Sequence, residues 1–313
     1  MSDDDLTFET SLAGMKKADW RAAVAQLCDE DGYFESIGKR HFAAFVERSD
    51  TLLVTFETLQ GIAALSSLAH PMGWEMMQTY GWSSLCLASD GDTWFRDGKV
   101  YAYIDRMIDE GFFDEYETVL FYGAGPCGYA AAAFSVACPG ARVLAVQPQA
   151  TLDPRVTEWD DRFTHMRRTD FTQRFGYAPD MLDAAERAFV VYDPHQTTDA
   201  MHAALFTRPN VEKLRIPHMG GAIQTDLLEI EQLGPMLKAM ADDGLDTLGF
   251  ARMMRARRMH PPYLRNLMAA LDARDRPHLV EALARNVTTR MHAPKFARRL
   301  EQLKKERGTD AKA

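Results

Sequence analysis

The residues of this sequence that could do chemistry are densest in Val119-Leu-Phe-Tyr-Gly-Ala-Gly-Pro-Cys-Gly-Tyr-Ala-Ala-Ala-Ala133. An apolar run ends at Tyr122, glycines follow at 123, 125 and 128, and an alanine-rich helix begins within the turn. Glycines suit such a turn because the backbone takes positive φ there and the helix packs close to the strand. Gly123, Gly125 and Gly128 match G-x-G-x-x-G, the dinucleotide fingerprint, in which a pyrophosphate rests on the free N–H groups of the helix N-terminus. That reading implies NAD or FAD and an oxidoreductase. The acidic residue it needs some 20 positions later is missing, and Gln147-Pro148-Gln149 stands there. The same turn geometry serves a nucleophile elbow, G-x-S-x-G, which lifts a serine above a sheet.

Other candidates lie around this turn. Cys127 falls in the first helical turn, where the helix dipole lowers a thiol pKa. With His218 or His202 as base and Asp199 as orienting acid, it would form a Cys-His-Asp site for acyl transfer or hydrolysis. As a purely structural residue it would be a small apolar group packed under the turn. His195 and His202 flank Asp199, and a helix starting at Asp199 would use that carboxylate as its N-cap. Thr55-Phe56-Glu57 follows an apolar run, and Glu57 reads either as a general base over a pocket mouth or as a solvated loop carboxylate. Arg155, Arg162, Arg167 and Arg168 alternate with Asp153, Glu158, Asp160 and Asp161, the pattern of surface ion pairs or of an anion site.

The elements that must position these groups are legible from apolar runs. Leu52–Phe56, Leu85–Ala88, Val119–Tyr122, Val143–Val146, Phe189–Tyr192 and Leu214–Ile216 are short, and all but the last are continuous, as expected of strands buried on both faces. Helix-length segments separate them at 60–80, 99–110, 128–137 and 198–207, so the expected fold is a doubly wound α/β sheet. Residues 1–36 read as an N-terminal helical unit, 37–243 as the α/β domain, and 244–313 as a basic helical extension. The connection 151–186 is too long for a simple crossover and is expected to be a helical cap or lid. Pro261, Pro277 and Pro294 mark helix starts.

Over roughly residues 40–240 the chain resembles α/β-hydrolase-like bacterial proteins. The resemblance rests on Leu53-Val-Thr-Phe56, Asp90-Gly-Asp-Thr-Trp-Phe95, the turn at Tyr122-Gly123, Pro139-Gly-Ala-Arg-Val-Leu-Ala145, Pro148-Gln149 and Asp199. It implies that the six runs are strands three to eight of that fold. It places the family's serine on Gly125, the helix-side oxyanion donor on Pro126, which has no N–H, and the histidine on Gly221, three residues from His218. Only Asp199 matches a triad member. The resemblance therefore implies a pseudoenzyme or small-molecule binder, with a pocket bounded by Thr55, Phe56, Glu57, Gly123, Gly125, Gly128, Asp199 and His218. As a whole the chain is also similar to alphaproteobacterial proteins sometimes labelled phosphoadenosine phosphosulfate reductase. That activity is not expected, because the sequence has no S-G-G-x-D-S-like phosphate loop and no cysteine after Cys138.

Composition narrows the classes further. The chain has 313 residues, and its four cysteines form no CxxC pair, so neither a disulfide framework nor a metal site is expected and a reducing cytoplasm fits. The acidic start, MSDDDLTFET, lacks a signal-peptide layout, and no apolar run reaches membrane-helix length. The net charge of −9 hides an asymmetry: residues 252–313 hold 16 Lys/Arg against 6 Asp/Glu. A basic tail on an acidic body favours packing on that body or a homodimer through the C-terminal helices over nucleic-acid binding.

Overall fold

Apolar runs without alternation are stable as strands only when both faces are covered, and helices cover both faces of this sheet. The computed structural model describes residues 6–310, so residues 1–5, where the leader reading falls, and the last three lie outside it. Eight strands, β1 (Gly32–Ile37), β2 (His41–Val46), β3 (Thr51–Thr58), β4 (Ser83–Ser89), β5 (Thr118–Ala124), β6 (Arg142–Val146), β7 (Arg187–Tyr192) and β8 (Val211–Arg215), form one sheet. Their order is β1-β2-β4-β3-β5-β6-β7-β8. β2 runs antiparallel to β1 and β4, and the remaining pairs are parallel. The six apolar runs of the sequence are β3 to β8. The β1–β2 hairpin was not foreseen, and all of β1 except Ile37 lies inside the segment expected to be only helical.

The helices are α1 (Lys17–Cys28), α2 (Leu59–Leu65), α3 (Met72–Tyr80), α4 (Gly98–Asp109), α5 (Pro126–Phe134), α6 (Pro154–Thr157) and α7 (Ala178–Met181). They continue with α8 (Thr197–Leu205), α9 (Ile223–Glu229), α10 (Leu233–Ala241), α11 (Thr247–Met253), α12 (Pro261–Ala273), α13 (Pro277–Arg290) and α14 (Pro294–Asp310). Helices α4, α5 and α8 pack on one face, where Phe121, Val143 and Val190 point. Helices α3, α9, α10 and α11 pack on the other, over Leu53, Tyr122 and Leu144. The C-terminal helices α12–α14 build a small core of their own around Leu264, Ala284, Val287 and Phe296. Each of the three prolines named from sequence is the first residue of its helix, where its missing N–H leaves no bond unmade.

Residues 151–186 hold two single-turn helices and a turn of 3-10 helix at Thr164–Met166. This segment is anchored to the domain. Phe171, Phe175 and Leu182 are buried in the same core as α5, and Arg96 donates to the carbonyl oxygens of Asp170 and Arg174. The Tyr129 hydroxyl donates to the carbonyl of Phe175.

Helix α5 is buried along almost all of its length. Every residue from Cys127 to Phe134 is buried, and the run of alanines lets its backbone approach the sheet. Gly123 makes that approach possible, since a Cβ there would lie 2.1 Å from the Cys127 carbonyl oxygen. At Gly128 a Cβ would stand 3.1 Å from the carbonyl oxygens of Gly123 and Val146. Gly123→Ala must therefore displace α5. It is expected to cost about 3 kcal/mol, the upper range for overpacking a close-packed interior, in urea unfolding. An unchanged urea midpoint would show that the glycine spacing has a different origin.

Candidate functional site

The turn between β5 and α5 reverses the chain at Gly125, whose φ of 56° and ψ of −124° lie in a region open to glycine and strained for other residues. The Gly125 N–H donates to the Val146 carbonyl (2.8 Å), and its own carbonyl accepts the first helical bond, from Tyr129 N–H (3.0 Å). A Cβ at Gly125 would meet nothing within 4 Å. Gly125 borders a cavity of about 350 Å³ whose lining also holds Gln147, Gln149, Arg162, Asp199 and Gln224. Gly221, the position the resemblance gives to a histidine, also lines it.

The polar groups of this cavity bond to one another. Arg162 lies across two carboxylates, donating to Asp160 from Nε (2.9 Å) and Nη2 (2.8 Å) and to Asp199 from Nη1 (2.6 Å). Asp199 also accepts from Gln147 Nε2 (2.7 Å), and Gln147 Oε1 accepts from Ile223 N–H (2.9 Å) at the start of α9. Trp94 Nε1 donates to Gln149 Oε1 (3.1 Å). His202 is fully buried: Nδ1 accepts from Ala150 N–H (3.1 Å), which leaves the proton on Nε2 to donate to Asp160 (2.8 Å). Burial holds the His202 pKa below its ordinary value, so the ring is neutral. The network ties the 151–186 segment to α8, to the end of β6 and to α9.

The triad candidates are dispersed. His218 stacks on His195, ring centroids 4.2 Å apart, and does not line the cavity; Asp193 accepts from His195 N–H and Gly220 N–H beside them. Asp199 is not an N-cap, because α8 begins two residues earlier with Gln196 as its cap. Its carboxylate faces a guanidinium and an amide, with no histidine on it. Cys127 is buried, and the carboxyls of Glu57 and Asp92 lie close enough to add to the burial, so its thiol pKa stands well above the ordinary value. The dipole argument for a thiolate is overturned here by desolvation. Phe56 points into the core between Phe95 and Phe134 and not toward a ligand. Gly123 and Gly128 serve close packing. Arg162, read as a surface ion-pair partner or an anion ligand, lines the cavity and pairs with Asp160 and Asp199, while Arg155 pairs locally with Asp153 (2.6 Å). No group of three or more His, Cys, Asp or Glu able to hold a metal is present among the described residues.

Glu57 is the residue sequence reasoning misjudged most. It is no solvated loop carboxylate: it stands buried at the penultimate position of β3, with Oε1 accepting from Thr55 Oγ1 (2.7 Å), Met72 N–H (3.0 Å) and Cys86 Sγ (3.4 Å). Oε2 accepts from Met72 N–H at 3.1 Å. Burial outweighs these donors and raises its pKa. Gln147, Gln149, Gln224 and Trp94 were not singled out as site residues. The available signal was a Gln-Pro-Gln at a strand end where a ribose-binding acid should stand.

No family model matches the sequence, and no curated protein matches it. Among solved structures the chain is similar to the esterase Est1E from Butyrivibrio proteoclasticus with bound ferulic acid (12% identity, TM-score 0.42, 66% of this chain and 98% of that one). It is also similar to the capsule O-acetyltransferase of Neisseria meningitidis serogroup A (11%, 0.43, 64% and 91%). A third similar structure is the Glycosylation Associate Protein (Gap123) complex from Streptococcus agalactiae (11%, 0.44), of which this chain covers 68% of its own length but 46% of that chain. The strand order with one antiparallel second strand, and the sharp turn after β5, give this chain an α/β-hydrolase-like fold.

The burial of Glu57 has a consequence for stability. A carboxyl whose pKa rises on folding stabilises the folded chain fully below its ordinary value of 4.5, and that contribution is lost as pH rises toward the folded value. Glu57→Gln keeps an acceptor for Thr55 and Cys86 but cannot ionise. Its melting temperature should match the parent's near pH 4 and exceed it by a growing margin as pH rises above 4.5. A constant or reversed difference across that range would show that Glu57 ionises without cost.

Proposed function

We propose that this chain is an α/β-hydrolase-like protein that does not perform serine hydrolysis and instead binds a small molecule at the C-terminal ends of its strands. The observation that carries this reading is position 125: the backbone has the strained elbow conformation and open space for a side chain, and the residue is glycine. Pro126 offers no N–H to an oxyanion, Gly221 no imidazole, and Asp199 is engaged by Arg162. In this reading residues 151–186 form a cover over the elbow cavity and 244–313 a helical extension. The exposed Leu248, Met259 and Leu279 of that extension are what a homodimer contact would cover. No helix among the described residues is long and apolar enough to cross a membrane. The four free, buried cysteines fit a reducing cytoplasm.

Two enzyme readings have less support. The glycine spacing that suggests a nicotinamide or flavin nucleotide has a packing reason at Gly123 and Gly128, and Gln147 occupies the place of the ribose acid while bridging Asp199 and Ile223. A thiol enzyme would need Cys127 exposed and acidic.

The test has two parts. The parent protein is expected to show no saturable hydrolysis of p-nitrophenyl acetate and no labelling by a fluorophosphonate, and native mass spectrometry is expected to show a small non-covalent adduct and the subunit number. Gly125→Ser should fold, at a cost of about 1–3 kcal/mol for the strained backbone, and remain inactive because Pro126 and Gly221 are unchanged. Saturable hydrolysis by the parent, an adduct of nucleotide mass, or iodoacetamide labelling of Cys127 at neutral pH would each replace this reading with one of its rivals.

A further inference from the structure

A second cavity, of about 300 Å³, lies on the other side of Gln224 from the elbow cavity. It is walled by the α2–α3 connection, the start of α3 and α9, and Glu57 forms part of its lining. Its size is that of a small ligand pocket, with room for about ten water molecules. Leu65, Leu68 and Leu228 supply an apolar side. The polar side holds two carboxyl groups, Glu57 and Glu75, and the lining contains no lysine or arginine. His70, also in the lining, uses Nε2 on the Thr10 carbonyl (2.8 Å) and packs edge-on to Trp74, and burial lowers its pKa, so it contributes no charge.

The two cavities differ in what their charges meet. In the elbow cavity each carboxylate already has Arg162. Glu57 has no cationic partner: its neighbours are a hydroxyl, a backbone N–H and a thiol. Three of its four accepted bonds fall on Oε1, so Oε2, with Met72 N–H alone, keeps acceptor capacity. Nearby, Tyr122 has a fully buried hydroxyl that makes no hydrogen bond of good geometry, with Gln224 as its polar neighbour. A buried carboxyl without a counter-charge is costly, and the missing partner here is a cation with an apolar body.

We infer that the Glu57 cavity is a binding site for an organic cation, an alkylammonium whose head meets Glu57 Oε2 and whose chain lies along Leu65, Leu68 and Leu228. This rests on the reading of the strand ends as a ligand site and names the ligand's chemical class. Glu75, exposed at the rim, adds a second negative charge at the entrance. Loss of the charged contact should weaken binding about 10- to 100-fold, the range for a hydrogen bond to an ionised group.

The experiment titrates the full chain with hexylammonium and with hexan-1-ol, its neutral counterpart, by calorimetry at pH 8. Parent protein, Glu57→Gln and the cavity-filling Leu228→Trp are compared after circular dichroism has shown each to be folded. Hexylammonium is expected to bind at least 10-fold tighter than hexan-1-ol. Glu57→Gln should erase that preference while keeping the alcohol's affinity, and Leu228→Trp should abolish both. Equal affinity for the two probes would overturn the cation assignment and leave a neutral-ligand site standing. Binding of neither, or binding insensitive to both variants, would overturn the Glu57 cavity itself. The wider reading then stands or falls separately, on whether the untreated protein carries a small-molecule adduct.

Discussion

The fold depends on how closely α5 can lie against β5 and β6. A helix buried from Cys127 to Phe134 beneath the sheet's central strands tolerates no Cβ at Gly123, where 2.1 Å separates that position from a carbonyl oxygen. The reversal at Gly125 follows from this, because a strand that ends under its own helix must turn within two residues. Positive φ at Gly125 is the geometric price, and a hydrogen bond to Val146 holds it. The strained turn is thus required by packing whether or not a nucleophile stands on it. The turn geometry is therefore no evidence by itself for a nucleophile at Gly125.

Around that turn, electrostatics assigns roles that residue types alone leave open. Asp160 and Asp199 are both buried and share the single guanidinium of Arg162. Removing Arg162 would leave two buried carboxylates uncompensated, which is far costlier than losing a surface pair. His202 completes the arrangement as a neutral donor to Asp160. The same guanidinium ties residues 151–186 to α8, through its bond to Asp199. The segment is tied from below as well, by Arg96 and Tyr129, so its position is set on two sides.

Much of the sheet was legible because burial on both faces leaves a mark that needs no knowledge of partners: a short continuous apolar run. That mark located β3 to β8 and the crossovers between them. It missed β1, whose residues are only partly buried, and with it the hairpin, although β2 is a buried run of its own. The long 60–80 crossover proved to be two helices, since Pro71 stands as the N-cap of the second. The glycine turn was recognisable as a turn, but its two chemical readings share one backbone requirement, and sequence spacing cannot separate them. Site roles were less legible still. The pKa of Cys127 was argued from a helix dipole that acts over one turn, whereas its burial and the carboxyls beside it come from β3 and from the loop after β4. Glu57, Arg162 and Asp199 are defined by partners at sequence distances that local pattern does not reach.

The two cavities at the strand ends differ in how their charged groups are satisfied. At the elbow the charged groups have partners within the protein, Asp160 and Asp199 on Arg162, so a ligand entering there must displace existing hydrogen bonds along a lining rich in glutamine. At Glu57 the balance is reversed: the donors around the carboxyl are neutral, and burial resists its ionisation. A group in that state changes more on ligand binding than one already paired, because an arriving cation both finds a partner and relieves the cost of ionising it. Gln224, in the wall of both cavities, can bond on either side but carries no charge, so it joins the two spaces without equalising them. The balance of charge therefore leaves the carboxyl without a cationic partner on β3, one strand away from the turn that follows β5.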